Sequence, residues 1–585
     1  MMGIGGRAAK RGGLIIGSCL AGGLLSGAAL ADGEIYVNDA RAPFSWSGAY
    51  IGAHMGGGAN LSDVSDPAGR SMFGDPNIGP APMAGVQIGY NLQSGNVVYG
   101  LEADLTFPYS SATATCSALS GDFINSTCRV GVDAFGTIAG RLGLAVGDDG
   151  RGLIYGKAGA AWSTGNLDIA TNDATEGFGG NPFSTSSKDL NRWGWMLGAG
   201  AEYAMTGNWS VKGEYNYAQF GDQSVSLLPT AYMTSTGAIA SAVPERRGQI
   251  SQELHLFKVG LNYRFGDRVL ASGATPPPPA SPSLNGFSFD LGGRYWYSWG
   301  RHKYDLGLVK GTAAPYSQIS RITYGGMEAS TGEAYGRVTA PLNVFAKGFI
   351  GGGNLHGGKM NDEDFGIPGP TPGSLVPYTN TLSSASGDIP LYGTIDVGYD
   401  IWRTADYRFG VYVGYNYYKE EMGAYGCQQT ASAIGPCSAA EGGPVPGTGH
   451  AIITQDARWQ SMRLGAATEF YLAPRFKVSA DAAYLPYVVV DAVDHHFLGN
   501  TPAVASINPL TGYGKGAQIE AMLSYDITPQ ISFGVGARYW AMWSETGSFR
   551  RTFDSTGPAN PNVHQHMKIE TERVGVLGEL TYTFD

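Results

Sequence analysis

From Gly48 onward the chain is built of short runs in which apolar and polar residues alternate, separated by glycine, proline, asparagine and aspartate. A period of two puts apolar side chains on one face of an extended strand and polar ones on the other. In the first half the runs number about eight: GAYIGAHMGGG, APMAGVQIGYNL, VVYGLEADLTF, VDAFGTIAGRLGLAV, GLIYGKAGAAW, WGWMLGAGAEYAM, WSVKGEYNYAQFG and HLFKVGLNYRF. The second half gives about ten by the same count. Each half ends on an alternating strand with a terminal aromatic, Phe265 in HLFKVGLNYRFG and Phe584 in VGVLGELTYTFD. Two closing strands predict two closed sheets. Between them, residues 267–285, DRVLASGATPPPPASPSLN, carry four consecutive prolines and read as a stiff extended spacer. The fold class is therefore all-β: two tandem antiparallel transmembrane barrels, residues 44–266 and 286–585.

The connections alternate in length. In the first half QSGN, GDDGR and TGN are tight, while the segments near 111–128, 168–190 and 223–252 are long. In the second half TAPLN (339–343), RTADY (403–407), LAPR (472–475) and ITPQ (527–530) are tight, and long loops are expected near 301–317, 359–385, 424–453, 495–515 and 552–566. Barrels of this kind carry their long loops on one rim, so with spacer and C-terminus in the periplasm every long loop faces outward.

Composition agrees. Among 585 residues there are 89 glycines, 11% aromatics and only 15% charged residues, which suits many strands and tight turns with one face in lipid. The net charge of −11, with no basic stripe, argues against nucleic acid. Residues 1–31 place Arg7, Lys10 and Arg11 before an apolar run and the small exit Ala29-Leu30-Ala31, a cleaved secretory signal. After Ala31 no apolar stretch reaches the ~20 residues of a spanning helix, so any crossing is made by strands. In an exported chain, the local pairs Cys116/Cys128 and Cys427/Cys437 read as two loop-closing disulfides. Glu102, Asp104, Lys157, Glu202, Lys212 and Glu214 lie on first-half strands. An eight-stranded barrel is only wide enough for side chains to fill it, so these read as an internal salt-bridged core rather than a channel.

Two acidic clusters fall where second-half strands reach the outward rim. Residues 488–500, VVVDAVDHHFLGN, gather Asp491, Asp494, His495 and His496 at the end of strand seven; residues 357–365, GGKMNDEDF, put Asp362 and Asp364 at the end of strand three. In extended chain, residues i and i+2 share a face. Asp494 would orient His496 and stabilise its charged form, and His496 would take a proton from a water. The Asp362/Asp364 pair would fix that water from the other side, one proton shared because adjacent carboxylates resist double ionisation. This is the equipment for peptide hydrolysis without a covalent nucleophile. A metal site from Asp491, Asp494, His495 and His496 is the competing reading by ligand type, and a solvated acidic rim is the plain one. The polar positions Lys477, Ser479 and Asp481 put odd numbers of strand seven toward the lumen, so strict alternation would turn Asp494 and His496 outward. A bulge, or release of the chain above the membrane, must shift the register; Pro486 is the place for it.

Two family resemblances follow. FSWSGAYIGAHMG, YGLEADL, GTIAGRLGLAV, GAGAEYAMTGNWSVKGEYNY and GLNYRFG make residues 44–266 similar to the small porin-like surface proteins of the outer-membrane beta-barrel family. Residues 286–585 resemble the omptins, ten-stranded outer-membrane proteases: GGKMNDEDF resembles their MxDxDW segment, and FKVSADAAYLPYVVVDAVDHHF their strand ending in DxH. The resemblance implies Asp362 and Asp364 as the aspartate pair, Asp494 with His496 as the dyad, endopeptidase activity toward extracellular peptides or proteins, and dependence on bound lipopolysaccharide; no cofactor or metal is expected. Omptins carry an acid two residues before the dyad aspartate and a glutamate near the outer end of strand one, for a basic substrate side chain. Here position 492 is Ala and strand one ends Arg301-His302-Lys303-Tyr304-Asp305. Asp491, one residue out of register, is the candidate substitute for substrate binding. The alternative is a structural or adhesive surface protein that kept this architecture without activity.

Overall fold

The computed structural model describes most of residues 44–584; outside it lie 1–43, 266–286, 585, and the segments 66–76, 119–124, 172–184, 309–319, 369–374, 432–448 save Cys437, 498–502, 555–563 and shorter pieces. The expected signal sequence and the proline-rich spacer fall outside the described residues. Apart from a one-turn 3-10 helix at Pro341–Asn343, the described elements are strands.

Eight long antiparallel strands close the first ring: Gly48–Ser65, Met83–Ser94, Val97–Pro108, Ala134–Val146, Gly152–Thr171, Thr185–Ala204, Trp209–Leu227 and Arg246–Arg264, the last pairing back onto the first. Short strands ride on them, including the hairpin of Ser110–Ala118 with Asn125–Val132 in a connection expected to be a loop. Outward residues such as Ile88, Leu101, Ile138 and Leu142 form an apolar belt suited to hydrocarbon. The interior is filled, as the ring's width requires. Lys157 Nζ lies 2.7 Å from Glu102 and 2.8 Å from Glu214, and Arg264 lies 2.6 Å from Glu202, which Arg141 also engages. All of these charges are buried and paired, an internal salt-bridged core.

Ten strands close the second ring: strand one Ser288–Leu308, two Ser320–Thr339, three Val344–His356 continued by Lys359–Pro368, four Leu375–Arg403, five Tyr407–Ala431, six Ala451–Ala473, seven Phe476–Phe497, eight Val504–Asp526, nine Ile531–Arg550 and ten His564–Phe584. Strand three breaks at Gly357 and Gly358, whose φ values of 71° and 116° would strain any side-chain-bearing residue. Much of what reads as long loops is instead strand. Strand four runs for 29 residues. Pairing satisfies the backbone groups of these extensions, so the wall rises well beyond the apolar belt. That belt ends near Tyr415, Met462, Tyr487 and Tyr513; beyond it the outer face carries Lys419 3.1 Å from Asp456 and Arg458 3.7 Å from Asp491. Such a ladder belongs in water, not lipid.

Along its axis the second lumen has three layers. At the turn end lies a charged chamber lined by residues including Arg294, Lys347, Asp396, Arg463 and Asp481. A mid-level aromatic layer follows, with Trp296 and Trp540 rings 5.3 Å apart and the fully buried Arg538 among them. Above it, toward the long-strand end, sits the candidate site.

Candidate functional site

Strand seven changes its facing once. Leu485 pairs with Gly516 and Val488 with Gly514, so three steps on strand seven match two on strand eight. The extra residue is a bulge at Pro486, which bulges and edges tolerate because proline has no N–H to lose. Below it Asp481 faces the lumen, accepting from Tyr412 Oη at 2.6 Å. Above it Val488, Val490, Ala492 and Asp494 are the buried positions. The register shift the sequence demanded is therefore present. Deleting Pro486 removes the surplus residue while keeping both flanking pairings, so the dyad should still face inward. The expected result is a His496 that still titrates near 9 by histidine-selective NMR; a value near 6.5, that of a solvated imidazole, would mean the strand had flipped.

His496 Nε2 donates to Asp494 Oδ2 at 2.7 Å, and Asn508 Nδ2, itself 3.2 Å from Ser506 Oγ, donates to the same oxygen at 3.3 Å. Asp494 is fully buried while a third of the His496 side chain is exposed, so the imidazole is the accessible end of the pair. In the neutral ring this leaves Nδ1 as the basic atom. Strand three lies four places from strand seven around the ring, on the facing wall. There Asp364 Oδ2 accepts from Thr379 Oγ1 at 3.5 Å, and Asp362 Oδ1 is a buried oxygen without a protein partner.

Asp494 and His496 lie seven and nine positions beyond Tyr487, roughly 23 and 30 Å along the strand and clear of the apolar belt. Burial pushes the Asp362 carboxyl well above the ordinary carboxylate range, and Asp364 pushes it further, while His496 opposes. For His496, burial disfavours the charged ring, but Asp494, and behind it Asp362 and Asp364, outweigh this and raise it to about 9. The carboxylates of both walls thus favour the charged ring of His496, while burial beside Asp364 favours the protonated form of Asp362.

Beneath the dyad, Tyr304 and Tyr324 are fully buried, and burial with the nearby Asp494 charge keeps both as phenols. Below them His302 Nδ1 lies 2.7 Å from Glu420, and Trp459 and Ala492 complete the floor. The end of strand one, basic in composition, resolves by alternation: His302 and Tyr304 face in, whereas Lys303 bonds on the outer face. Sequence reading missed these two; the period of two continuing from Trp296 was the signal. Asp491 is a correction. It lies on the outer face against Arg458, because it is an odd position above the bulge, so it cannot line the cleft. His495 is odd as well, so Asp491, Asp494, His495 and His496 do not converge as a metal set. Among the described residues the converging acidic trio is Glu102, Asp104 and Glu214 in the first ring, and Lys157, Lys212 and Lys258 already pair with it.

Cys427 and Cys437 form a disulfide. Cys128 is disulfide-bonded as well, while the side chain of Cys116, its expected partner, lies outside the described residues.

Residues 18–265 match the outer membrane protein beta-barrel domain family. Over 246 residues the chain is 31% identical to the 31 kDa outer-membrane immunogenic protein of Brucella melitensis biotype 1, spanning 92% of that protein and 40% of this chain. The chain belongs to the outer-membrane beta-barrel protein family. It is also 29% identical over 187 residues to the 22 kDa outer membrane protein of Rhizobium leguminosarum, covering 68% of it and 31% of this chain. Among solved structures, the outer membrane protease OmpT from Escherichia coli aligns at 15% identity and a TM-score of 0.38, over 51% of this chain and 97% of OmpT. This outer-membrane barrel protein thus carries its family match in the first ring and its candidate site in the second, and its place is the bacterial outer membrane.

Proposed function

We propose that the protein is an outer-membrane endopeptidase, its site facing the outside of the cell and its first ring serving as a membrane-anchored partner domain. The observation that carries this reading is the buried Asp494 bonded to a part-exposed His496, with the Asp362/Asp364 pair on the facing wall. In the proposed reaction Asp494 holds the imidazole, and His496 Nδ1 takes a proton as water adds to the scissile carbonyl. The proton shared by Asp362 and Asp364 then goes to the departing amine as the C–N bond breaks. Tyr304 and Ala492 stand on the floor where an acid would be needed to receive a basic side chain, so cleavage without preference for arginine or lysine is expected. Lipopolysaccharide is the proposed lipid partner around the wall.

The test is a pH–rate profile on a peptide substrate. With His496 holding its proton up to about 9, only about 1% of the rings are basic at pH 7. The expected kcat/KM rises about tenfold per pH unit from pH 6 and levels above 9. A profile that peaks in acid would assign the base to the Asp362/Asp364 pair and overturn the role given to His496.

A further inference from the structure

The two rings touch along a seam that runs from one rim to the other. At the turn end Tyr203 of the first ring stacks on Phe470 of the second at 5.2 Å and lies 5.9 Å from Tyr407. At mid-height Gly57 replaces a side chain: a Cβ there would come within 3.1 Å of Ile519 and 3.8 Å of Tyr539. Ile519 and Tyr539 point outward from the second ring yet are 6% and 4% exposed, so the first ring covers them. At the long-strand end the hairpin strand Ser110–Ala118 reaches across. Lys303 Nζ donates to the carbonyl and the hydroxyl of Thr113, both at 2.7 Å, and Arg321 Nη1 donates to Thr115 Oγ1 at 2.7 Å.

These two cations are also the clamps of the site wall. Lys303 lies 3.6 Å from Glu570, and Arg321 lies 2.7 Å from Asp305 and 3.6 Å from Glu363. Glu363 is the residue between Asp362 and Asp364; Lys303 and Asp305 flank Tyr304. In extended strands such neighbours point to opposite faces. Whatever fixes Lys303 and Arg321 on the outer wall therefore fixes Tyr304, Asp362 and Asp364 on the inner one. We infer that the first ring is a buttress: its hairpin holds the ends of strands one, two and three of the second ring so that Asp362 and Asp364 face the dyad. Thr113 and Thr115 are positioning residues, acting through Lys303 and Arg321. The value of this to catalysis rests on the peptidase reading, whereas the mechanical coupling does not.

The experiment is amide hydrogen exchange on the full chain in lipid, read at residues 302–306, 320–325 and 359–365. Gly57→Leu wedges the seam at mid-height, remote from hairpin and site; Thr115→Val removes one hydroxyl at the hairpin. Ile138→Leu, on the lipid face of the first ring, is the control. The expected result is exchange about tenfold faster in G57L and several-fold faster in T115V, with residues 488–496 and the control unchanged. Rates equal to the control in both variants overturn the buttress. Should G57L fail to fold, T115V decides alone by the same criterion. Peptide hydrolysis recorded in parallel separates the two claims: faster exchange with an inert wild type sinks the peptidase and keeps the buttress, and an active wild type with unaltered exchange does the reverse.

Discussion

His496→Ala should lower kcat on a cleaved peptide by about 10²–10⁴-fold while leaving the barrel folded. The imidazole is the accessible end of the dyad, and its removal leaves Asp494 buried beside Asn508 and the Tyr304 and Tyr324 phenols. Asp494→Asn separates orientation from charge. The amide can still hydrogen-bond the ring, but the carboxylate that does most to hold the His496 proton is gone. The plateau of the rate profile should therefore move down from about 9, so the variant is penalised less at pH 6 than at pH 9. A uniform loss at every pH would mean that Asp494 contributes shape alone. The measurement is kcat and kcat/KM across pH for the wild type and both variants.

The second large effect is on stability. Arg538 is fully buried between Glu333, which it contacts with both Nη atoms, and Glu520 at 2.6 Å, with its guanidinium 4.6 to 5.1 Å from the rings of Phe349, Trp296 and Trp540. Arg538→Met preserves most of the volume but strands the two carboxylates in the aromatic layer. Glu520 keeps Arg294 at 3.3 Å and Glu333 keeps the Tyr392 hydroxyl at 2.7 Å, so neither is wholly abandoned. Breaking a buried pair by removing one partner costs about 3–5 kcal/mol, and that is the loss expected in a denaturant titration in lipid vesicles. Arg538→Met paired with Glu333→Gln should recover part of it. A single mutant as stable as the wild type would mean that the layer is hydrated.

The two rings were legible because alternation and turn chemistry are local, and because each half closes on its own aromatic strand, ending at Phe265 and at Phe584. The filling of the first lumen was legible from width alone, as the paired Lys157, Glu102 and Glu214 bear out. The height of the second wall was not. Residues 359–368 and 424–431 carry no strong apolar face, since both faces lie outside lipid, and only pairing with neighbours makes them strands. At the candidate site, Asp362, Asp364, Asp494 and His496 could be chosen by type and spacing, and the need for a bulge followed from parity. Which side of that bulge Asp491 fell on was a matter of counting through Pro486, and there the choice of Asp491 failed. The layer beneath, Tyr304 and Tyr324 with the His302–Glu420 pair, joins strands far apart in sequence and leaves no local mark.

Hydrolysis of peptide bonds is the activity proposed for this wall of carboxylates and one imidazole. It is tested most directly by incubating an unbiased peptide library with the full chain refolded in lipopolysaccharide, beside Asp362→Asn and His496→Ala, and identifying products by mass spectrometry. The expected result is internal cleavage by the wild type, without enrichment for arginine or lysine at the cut, weaker without lipopolysaccharide and lost in both variants. A well-folded wild type that leaves the library intact would contradict it and make the second ring a non-catalytic structural or adhesive surface barrel.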